Sequence, residues 1–154
     1  MSLRNELGYK KPFKHRVEET LLSIIHTGTL LSKEGDRLLR PFGLTDAQFN
    51  VLVLLKYHSV DGRINQTSLG KMLLVNRSNI TGLVDRMEKA GLVRRISDPQ
   101  DRRVNYVTMT DAGGRVLEKA HQAYLSRIEE VMSNLSAQDQ ETLSGILEKV
   151  RGQL

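Results

Sequence analysis

A change of pattern between Leu69 and Met109 constrains the fold more than any other feature of the chain. Two groups of apolar residues first follow the i, i+3, i+4 spacing of an amphipathic helix: Leu69, Met72 and Leu73, and then Ile80, Leu83, Val84 and Met87. After Gly91, which suits the left-handed end of a helix, residues 92–96 and 104–109 have the composition of strands. We therefore expect two short helices followed by a β-hairpin.

The connections between these elements are short. Leu74, Val75 and Asn76 separate the two helices, and the Asn76 side chain suits the N-cap of the second helix. The turn of the hairpin is residues 97–102, with the sequence SDPQDR. A helix-turn-helix followed by a projecting hairpin is a winged helix, and we interpret the hairpin as a two-stranded β wing.

Longer helical patterns lie at both ends of the chain. One covers residues 13–39, and another follows Thr45, which suits an N-cap. Helical spacing returns at Asp111, and Ser136 suits the N-cap of a last helix. Most of the chain is therefore predicted to be helical.

The length of 154 residues allows one domain with extensions and a real hydrophobic core. We predict a mostly α fold in which residues 10–43 and 111–154 form a helical region and residues 44–110 form the winged helix-turn-helix. The terminal helices hold more apolar positions than a small winged helix needs to cover itself. We therefore expect the parts to form a single intertwined domain.

Composition excludes several classes of protein and of site. The chain has no cysteine, which excludes disulfides, thiolate metal sites and cysteine nucleophiles. No run approaches the ~20 consecutive apolar residues of a membrane span, and the N-terminus lacks the pattern of a secretory signal. We expect a cytoplasmic protein with no membrane partner and no cofactor.

Positive charge is concentrated around the winged helix. Residues 71–103 hold eight basic and four acidic side chains, a balance of +4 within a formal net charge of +5. A basic patch confined to one module is typical of a protein that binds a polyanion such as DNA. Charge alone favours a solvated surface equally well, so the arrangement of the residues has to decide.

The apolar stripe of the second short helix leaves a polar face opposite. The N-terminal half of that face has small side chains rich in hydrogen-bonding groups, which suits close approach to base edges in a major groove about 12 Å wide. The alternative is an ordinary surface helix, but the neighbouring hairpin and the positive charge favour DNA binding. The predicted DNA contacts on the two helices are Lys71, Arg77, Ser78, Asn79, Thr81 and Arg86.

The hairpin turn adds two arginines to the predicted contacts. Arg102 and Arg103 follow a projecting turn, from which a guanidinium group can enter a minor groove or contact phosphates. Asp101 is expected to support the wing by a bidentate pair with one of them. The alternative is an exposed ion pair, which contributes about 0–1 kcal/mol.

The order and spacing of four segments resemble the MarR (multiple antibiotic resistance regulator) family of bacterial transcription factors. The segments are LTDAQFNVLVLL (44–55), SLGKML (68–73), NITGLVDRMEKAGLVRR (79–95) and DPQDRRVNYVTMTDAG (98–113). One position departs from the family, because Gly82 stands where a basic residue is common. Either the backbone approaches DNA closely there, or Arg77 and Arg86 supply the contact.

The resemblance implies a homodimer that binds a pseudo-palindromic operator in double-stranded DNA, with half-sites roughly 34–36 Å apart. It implies a ligand-responsive regulator, most often a repressor. The terminal helices would form the dimer interface through Val17, Leu21, Ile24, Ile128, Met132, Leu143, Ile146, Leu147 and Val150. A small aromatic or amphipathic effector would bind in a crevice between the dimer helices and the winged helix, lined by His26, Leu30, Phe49 and Arg63.

Three other functions have weaker support in the sequence. An enzyme is not expected, because the four histidines are scattered and neither an HExxH motif nor a glycine-rich phosphate loop occurs. A metal-responsive regulator would need a site of histidines and carboxylates, and no helical histidine pair at i, i+4 is present. A winged-helix protein-interaction module remains the alternative that salt dependence of DNA binding would separate.

Overall fold

The computed structural model describes residues 2–73, 77–98, 101 and 104–154, and for residues 77 and 78 it describes the backbone alone. This part of the chain is mostly helical, as predicted. Its elements in chain order are α1 (Leu3–Glu6), α2 (Arg16–Leu39), a 3-10 turn (Arg40–Phe42), α3 (Asp46–Tyr57), β1 (Arg63–Asn65), α4 (Gln66–Met72), α5 (Arg77–Lys89), β2 (Val93–Ser97), β3 (Asn105–Met109), α6 (Asp111–Met132) and α7 (Ala137–Arg151).

Local capping chemistry sets the start of several helices. The Thr45 hydroxyl accepts from the Gln48 backbone N–H while the Gln48 side chain accepts from the Thr45 N–H, which completes a capping box. Ser136 and Asp139 form the same arrangement at α7. Both predicted N-caps are therefore confirmed. Asn76, the predicted N-cap of α5, lies outside the described residues.

The N-terminal helix begins later than predicted. Helix α2 starts at Arg16, because His15 has an extended backbone with φ −125° and ψ 132°. Phe13 instead packs against Tyr9, with their ring centroids 5.6 Å apart. The short helix α1 precedes this aromatic pair and was not predicted. Within the described residues, no helix is long and apolar enough to cross a membrane.

The β-structure is larger than the predicted hairpin. Strands β2 and β3 pair antiparallel, with Val93 opposite Met109, and β1 adds a third strand on the other side of β3. The predicted two-stranded wing is confirmed as β2 and β3, and β1 is a third strand that was not predicted. Strand β1 has three residues, of which one, Ile64, is buried. A strand of this length is too short to show an alternation of apolar and polar residues in the sequence.

The hydrophobic core lies inside the winged helix. Its largest fully buried side chains are Phe49, Leu39, Leu52, Leu69, Met87, Val51, Val84, Val93 and Val107. Helix α2 adds its last residue, Leu39, and α6 adds Leu117 and Ala120 from its first half. Helix α7, which is described in full, contributes no buried residue. The apolar side chains of the terminal helices are thus left largely exposed.

The joint between the wing and α6 is tightly packed. A single residue, Thr110, separates β3 from α6; its hydroxyl donates to the Gly91 carbonyl over 2.6 Å and accepts from the Gly113 N–H. A Cβ atom at Gly113 would lie 2.2 Å from the Leu92 carbonyl oxygen. Gly91 has φ 70°, as predicted for the end of α5. Glycine is therefore required on both sides of this joint.

Candidate nucleic-acid interface

Helix α5 buries its predicted apolar stripe and exposes the opposite side. Its buried residues are Ile80, Leu83, Val84 and Met87. Two predicted readers, Asn79 and Thr81, are exposed, and so is Arg86 one turn further along. Lys71 is exposed near the end of α4. These four predicted DNA contacts are therefore accessible, on two adjacent helices.

Arg95, on strand β2, ties this helix to the wing. Its guanidinium group lies 2.7 Å from an Asp85 carboxylate oxygen and 2.8 Å from a Glu88 carboxylate oxygen, both on α5. The second Glu88 oxygen accepts from the Arg95 backbone N–H over 2.9 Å. Because the Arg95 side chain is only 22% exposed, these contacts hold the guanidinium group against the protein. Its positive charge is therefore paired with carboxylates of α5 within the winged helix.

Gln66, at the start of α4, joins the same cluster. Arg95 Nε donates to Gln66 Oε1 over 3.0 Å, and Arg95 Nη2 donates to the Thr81 carbonyl over 3.2 Å. Gln66 Nε2 donates to Thr81 Oγ1 over 3.1 Å. Neither Arg95 nor Gln66 was predicted from the sequence as part of the interface. Two carboxylates at i, i+3, Asp85 and Glu88, repel each other, and this spacing was a signal for a cation on the facing strand.

The unusual residue on α5, Gly82, has a cationic neighbour. A Cβ atom built at Gly82 would lie 3.4 Å from Nη1 of Arg86. The Arg86 guanidinium group therefore extends back along the helix over the glycine, at a position where a side chain would otherwise stand. This geometry favours the second of the two explanations for Gly82, in which Arg86 supplies the contact.

The base of the wing turn is closed by backbone and side-chain hydrogen bonds. The Asp98 N–H donates to the Val104 carbonyl and the Val104 N–H donates to the Asp101 carbonyl, each over 2.9 Å. The Asp101 N–H also donates to Asp98 Oδ1 over 3.2 Å. Arg102 and Arg103 lie outside the described residues, as do the side chains of Arg77 and Ser78. Their predicted contacts, and the support of an arginine by Asp101, stay predictions.

The terminal helices carry an exposed apolar surface, here called the terminal-helix face. Seven of its predicted members are exposed: Val17, Leu21, Ile128, Met132, Leu143, Ile146 and Val150. Ile24 and Leu147 are partly buried. Further exposed apolar residues on the same helices are Ile25, Leu30, Leu31, Leu125 and Val131. Side chains of this kind at helical spacing are typical of a surface that another chain covers.

An ion-pair network holds α2 against α6 beside this face. Glu34 Oε1 lies 2.8 Å from Arg127 Nε and 2.7 Å from Arg37 Nη2. Hydrogen bonds first from Arg37 and then from Arg127 lower the pKa of the Glu34 carboxyl from 4.5 to about 2. Arg127 also contacts Glu130 at 2.5 Å. The network borders an apolar cavity of about 220 Å³ between α2 and α6.

The four predicted effector contacts lie in separate surroundings. His26 Nε2 is 3.6 Å from a Glu6 carboxylate oxygen, and Leu30 is exposed on α2. Arg63 lies over the Tyr106 ring, 4.6 Å from its centroid. Phe49 is 1% exposed in the core, and its role as a ligand contact stays a prediction. Its helical spacing with Leu52 places it on the core side of α3.

A groove of about 680 Å³ lies between the end of α3 and the first half of α6. Tyr57 and His121 line it with ring centroids 5.5 Å apart. Its charged lining residues are Lys56 and Arg115 together with Asp111 and Glu118. The groove also touches Met109, Thr110 and Asp111 at the wing joint. This pairing was not predicted, because Tyr57 and His121 are far apart in the chain. Across the described ranges, no three histidine or carboxylate side chains form a group that could hold a metal ion.

The chain is similar to known transcription regulators. The sequence model of the MarR family matches residues 44–104. The multiple antibiotic resistance protein MarR of Escherichia coli (strain K12) is 32% identical over 126 residues, covering 79% of this chain and 85% of that protein. The transcriptional activatory protein BadR of Rhodopseudomonas palustris is 40% identical over 89 residues, covering 58% of this chain and about half, 51%, of BadR.

A solved structure matches over nearly the whole chain. It is the crystal structure of Sco3205, a MarR family transcriptional regulator from Streptomyces coelicolor, in complex with DNA. The TM-score is 0.83 at 31% sequence identity, and the match covers 94% of this chain and 92% of Sco3205. The likeness includes the terminal helices, for which the sequence resembled the family in pattern alone.

Proposed function

Because this chain belongs to the MarR family, we propose that it is a homodimeric transcription regulator that binds a pseudo-palindromic operator and releases it when a small aromatic or amphipathic molecule binds. The observation that carries the proposal is the geometry of α5. Its apolar stripe is buried in the core, while Asn79, Thr81 and Arg86 point outward beside a wing that is clamped to it.

The proposed DNA contacts come from two helices and the wing. Helix α5 would enter the major groove, since the N-terminal half of its exposed face carries small polar side chains. Lys71 would contact the phosphate backbone near the end of α4. The wing arginines, Arg102 and Arg103, would contact the adjacent minor groove or its phosphates. Sco3205, whose crystal structure contains DNA, supports this assignment through its similarity over 94% of the chain.

The terminal-helix face supports the proposed dimer. In one chain its side chains are strongly exposed, for example Val17 at 76% and Leu21 at 56%. Such apolar side chains are favourable only where another surface removes them from water. A second copy of the chain would do so and would hold two winged helices at a fixed distance. That distance sets the spacing of the two half-sites.

We place the effector in the groove between α3 and α6. The Tyr57 and His121 rings offer an aromatic surface, and Lys56 and Arg115 offer charges that suit a small organic acid. The groove adjoins both the wing joint and a helix of the proposed dimer interface. A ligand there could therefore change the angle between winged helix and dimer. We propose regulation rather than catalysis as the role of this site.

Repression by occlusion of a promoter is the proposed direction of control. BadR carries the name of an activatory protein, so the direction has to be measured. In a reconstituted transcription assay, the chain should lower transcription from a promoter that overlaps its operator. Higher transcription on addition of the chain would instead assign activation.

Selection of bound DNA from a random pool at low ionic strength tests the proposal directly. We expect a two-fold-symmetric sequence whose affinity falls ~10³-fold or more between 50 and 200 mM salt, as for a protein with six or more phosphate contacts. Arg103→Ala should weaken binding by ~1–3 kcal/mol without unfolding the chain. Indifference to every DNA sequence, or a weak response to salt, would assign the chain to protein binding instead.

A further inference from the structure

A chain of hydrogen bonds connects the wing to the exposed side of α5 through residues outside the predicted interface. Arg95 Nε donates to Gln66 Oε1 over 3.0 Å, and Gln66 Nε2 lies 3.1 Å from Thr81 Oγ1. Arg95 is on β2, Gln66 is the first residue of α4, and Thr81 is exposed on α5. The relay therefore joins the three elements that are proposed to meet DNA.

Arg95 fixes the direction of every hydrogen bond in this relay. A guanidinium group has donors alone, so the Gln66 atom that it contacts is the amide oxygen. The Gln66 amide nitrogen must then face Thr81, and because this nitrogen also has donors alone, Thr81 Oγ1 is the acceptor. The Thr81 hydroxyl proton takes no part in that contact and points away from Gln66.

Thr81 differs in this respect from two threonines of α2, Thr20 and Thr29. The Thr20 and Thr29 hydroxyls donate to the carbonyls of Arg16 and Ile25, four residues earlier, over 2.9 and 2.8 Å. The Thr81 hydroxyl oxygen instead accepts a hydrogen bond from Gln66, which lies on a different helix. Arg95 also donates to the Thr81 carbonyl over 3.2 Å, which fixes the backbone at the same residue.

We propose that Arg95 and Gln66 are positioning residues that set the Thr81 hydroxyl as a hydrogen-bond donor toward a base edge. This inference rests on the proposed DNA-binding function. In the major groove the acceptors are N7 and O6 of guanine, N7 of adenine and O4 of thymine, whereas the amino groups of adenine and cytosine are donors. Thr81 would therefore select against a base that presents an amino group at its contact.

A double-mutant cycle tests the relay on an operator selected with the wild-type chain. Thr81→Val removes the hydroxyl at nearly constant shape, and we expect about a tenfold loss of affinity. Gln66→Met removes the amide, and we expect a loss of about threefold, since Thr81 is then free to turn. The double variant should bind like Thr81→Val. If Gln66→Met weakens binding equally with and without the hydroxyl, the relay is refuted.

Gln66→Glu gives a readout that a merely structural role would not change. A carboxylate accepts from Arg95 and also from the Thr81 hydroxyl, so Oγ1 would face DNA as an acceptor. Repeating the selection with this variant should move the preference at one position in each half-site toward a base with an amino group. Thr67→Glu adds the same charge at the next, exposed residue of α4 and should weaken binding without changing the preference.

The outcomes separate the relay from the function beneath it. A wild-type chain that selects no DNA refutes the proposed function. A wild-type chain that selects an operator, with Gln66→Glu showing the wild-type base preference, refutes the relay alone. Thermal melts of each variant, followed by circular dichroism, establish that the compared chains are folded.

Discussion

Arg127 on α6 donates from Nε to Glu34 on α2 over 2.8 Å, although the two residues are 93 positions apart in the chain. Arg37 donates to the same carboxylate from one turn along α2. These contacts join the two long helices of the terminal-helix face directly. The ionisation of one carboxylate therefore contributes to the contact between α2 and α6.

Acid should weaken the contact between α2 and α6. The pKa of Glu34 is about 2 in the folded chain and 4.5 in its ordinary state, so the folded chain favours the ionised form. The stabilisation is complete above pH 4.5 and is lost as the pH falls toward 2. Melting temperatures of wild type and Glu34→Gln should differ at neutral pH and converge over that range. Glu129→Gln, an exposed position on α6, serves as the control.

Arg95→Met should loosen the wing from α5. We expect the free energy of unfolding to fall by about 1–2 kcal/mol, because the ion pairs that it loses are partly exposed, and operator affinity to fall as well. Arg94→Met removes the same charge from the neighbouring, exposed position on β2. Urea denaturation and a DNA titration compare the two variants. Equal losses of stability and affinity in both variants would mean that total charge is responsible, and not the ion pairs of Arg95 with α5.

Gly113→Ala should destabilise the joint between the wing and α6. A Cβ atom there would stand 2.2 Å from the Leu92 carbonyl oxygen, so the backbone must shift, at a cost of roughly 1–3 kcal/mol. The next residue offers a matched control, since a Cβ at Gly114 meets its nearest atom, Met109 Cε, at 4.0 Å. Gly114→Ala should be neutral or stabilise the helix by up to ~1 kcal/mol. Urea denaturation that ranks the two variants in the opposite order would contradict this packing.

Charges on α7 should separate the proposed dimer. Ile146 is 50% exposed in one chain and Leu147 is partly buried, and both belong to the terminal-helix face. Replacing both with glutamate would place two charges in the interface, so we expect a monomer in sedimentation velocity. Gln138→Glu adds a charge at a polar, exposed position of the same helix and should leave the dimer intact. A dimer that survives the double replacement would remove α7 from the interface.

Features that depend on neighbouring residues were readable from the sequence. The N-caps Thr45 and Ser136 were both predicted, and each completes a capping box with a partner three residues away. The buried stripe of α5 follows from helical spacing alone. The order of motifs then identified the family correctly. Strand β1 was not predicted because it forms by pairing with β3, which lies more than forty residues later in the chain.

The parts of the site that were missed depend on distant contacts. Gln66 and Arg95 are 29 positions apart, and neither has a local pattern that marks an interface. Phe49 was predicted as an effector contact through the family resemblance, and its helical spacing with Leu52 accounts for its place in the core. The groove partners Tyr57 and His121 come from different helices, so their pairing could be seen only in the folded chain.

The one-residue connection at Thr110 allows little independent movement between the winged helix and α6, a helix of the proposed dimer interface. The Thr110 hydroxyl is hydrogen-bonded to Gly91 on one side and to the first turn of α6 on the other. Because of these two bonds, a tilt of α6 should move β3 with it. A molecule bound beside Thr110 could therefore release the operator without touching DNA.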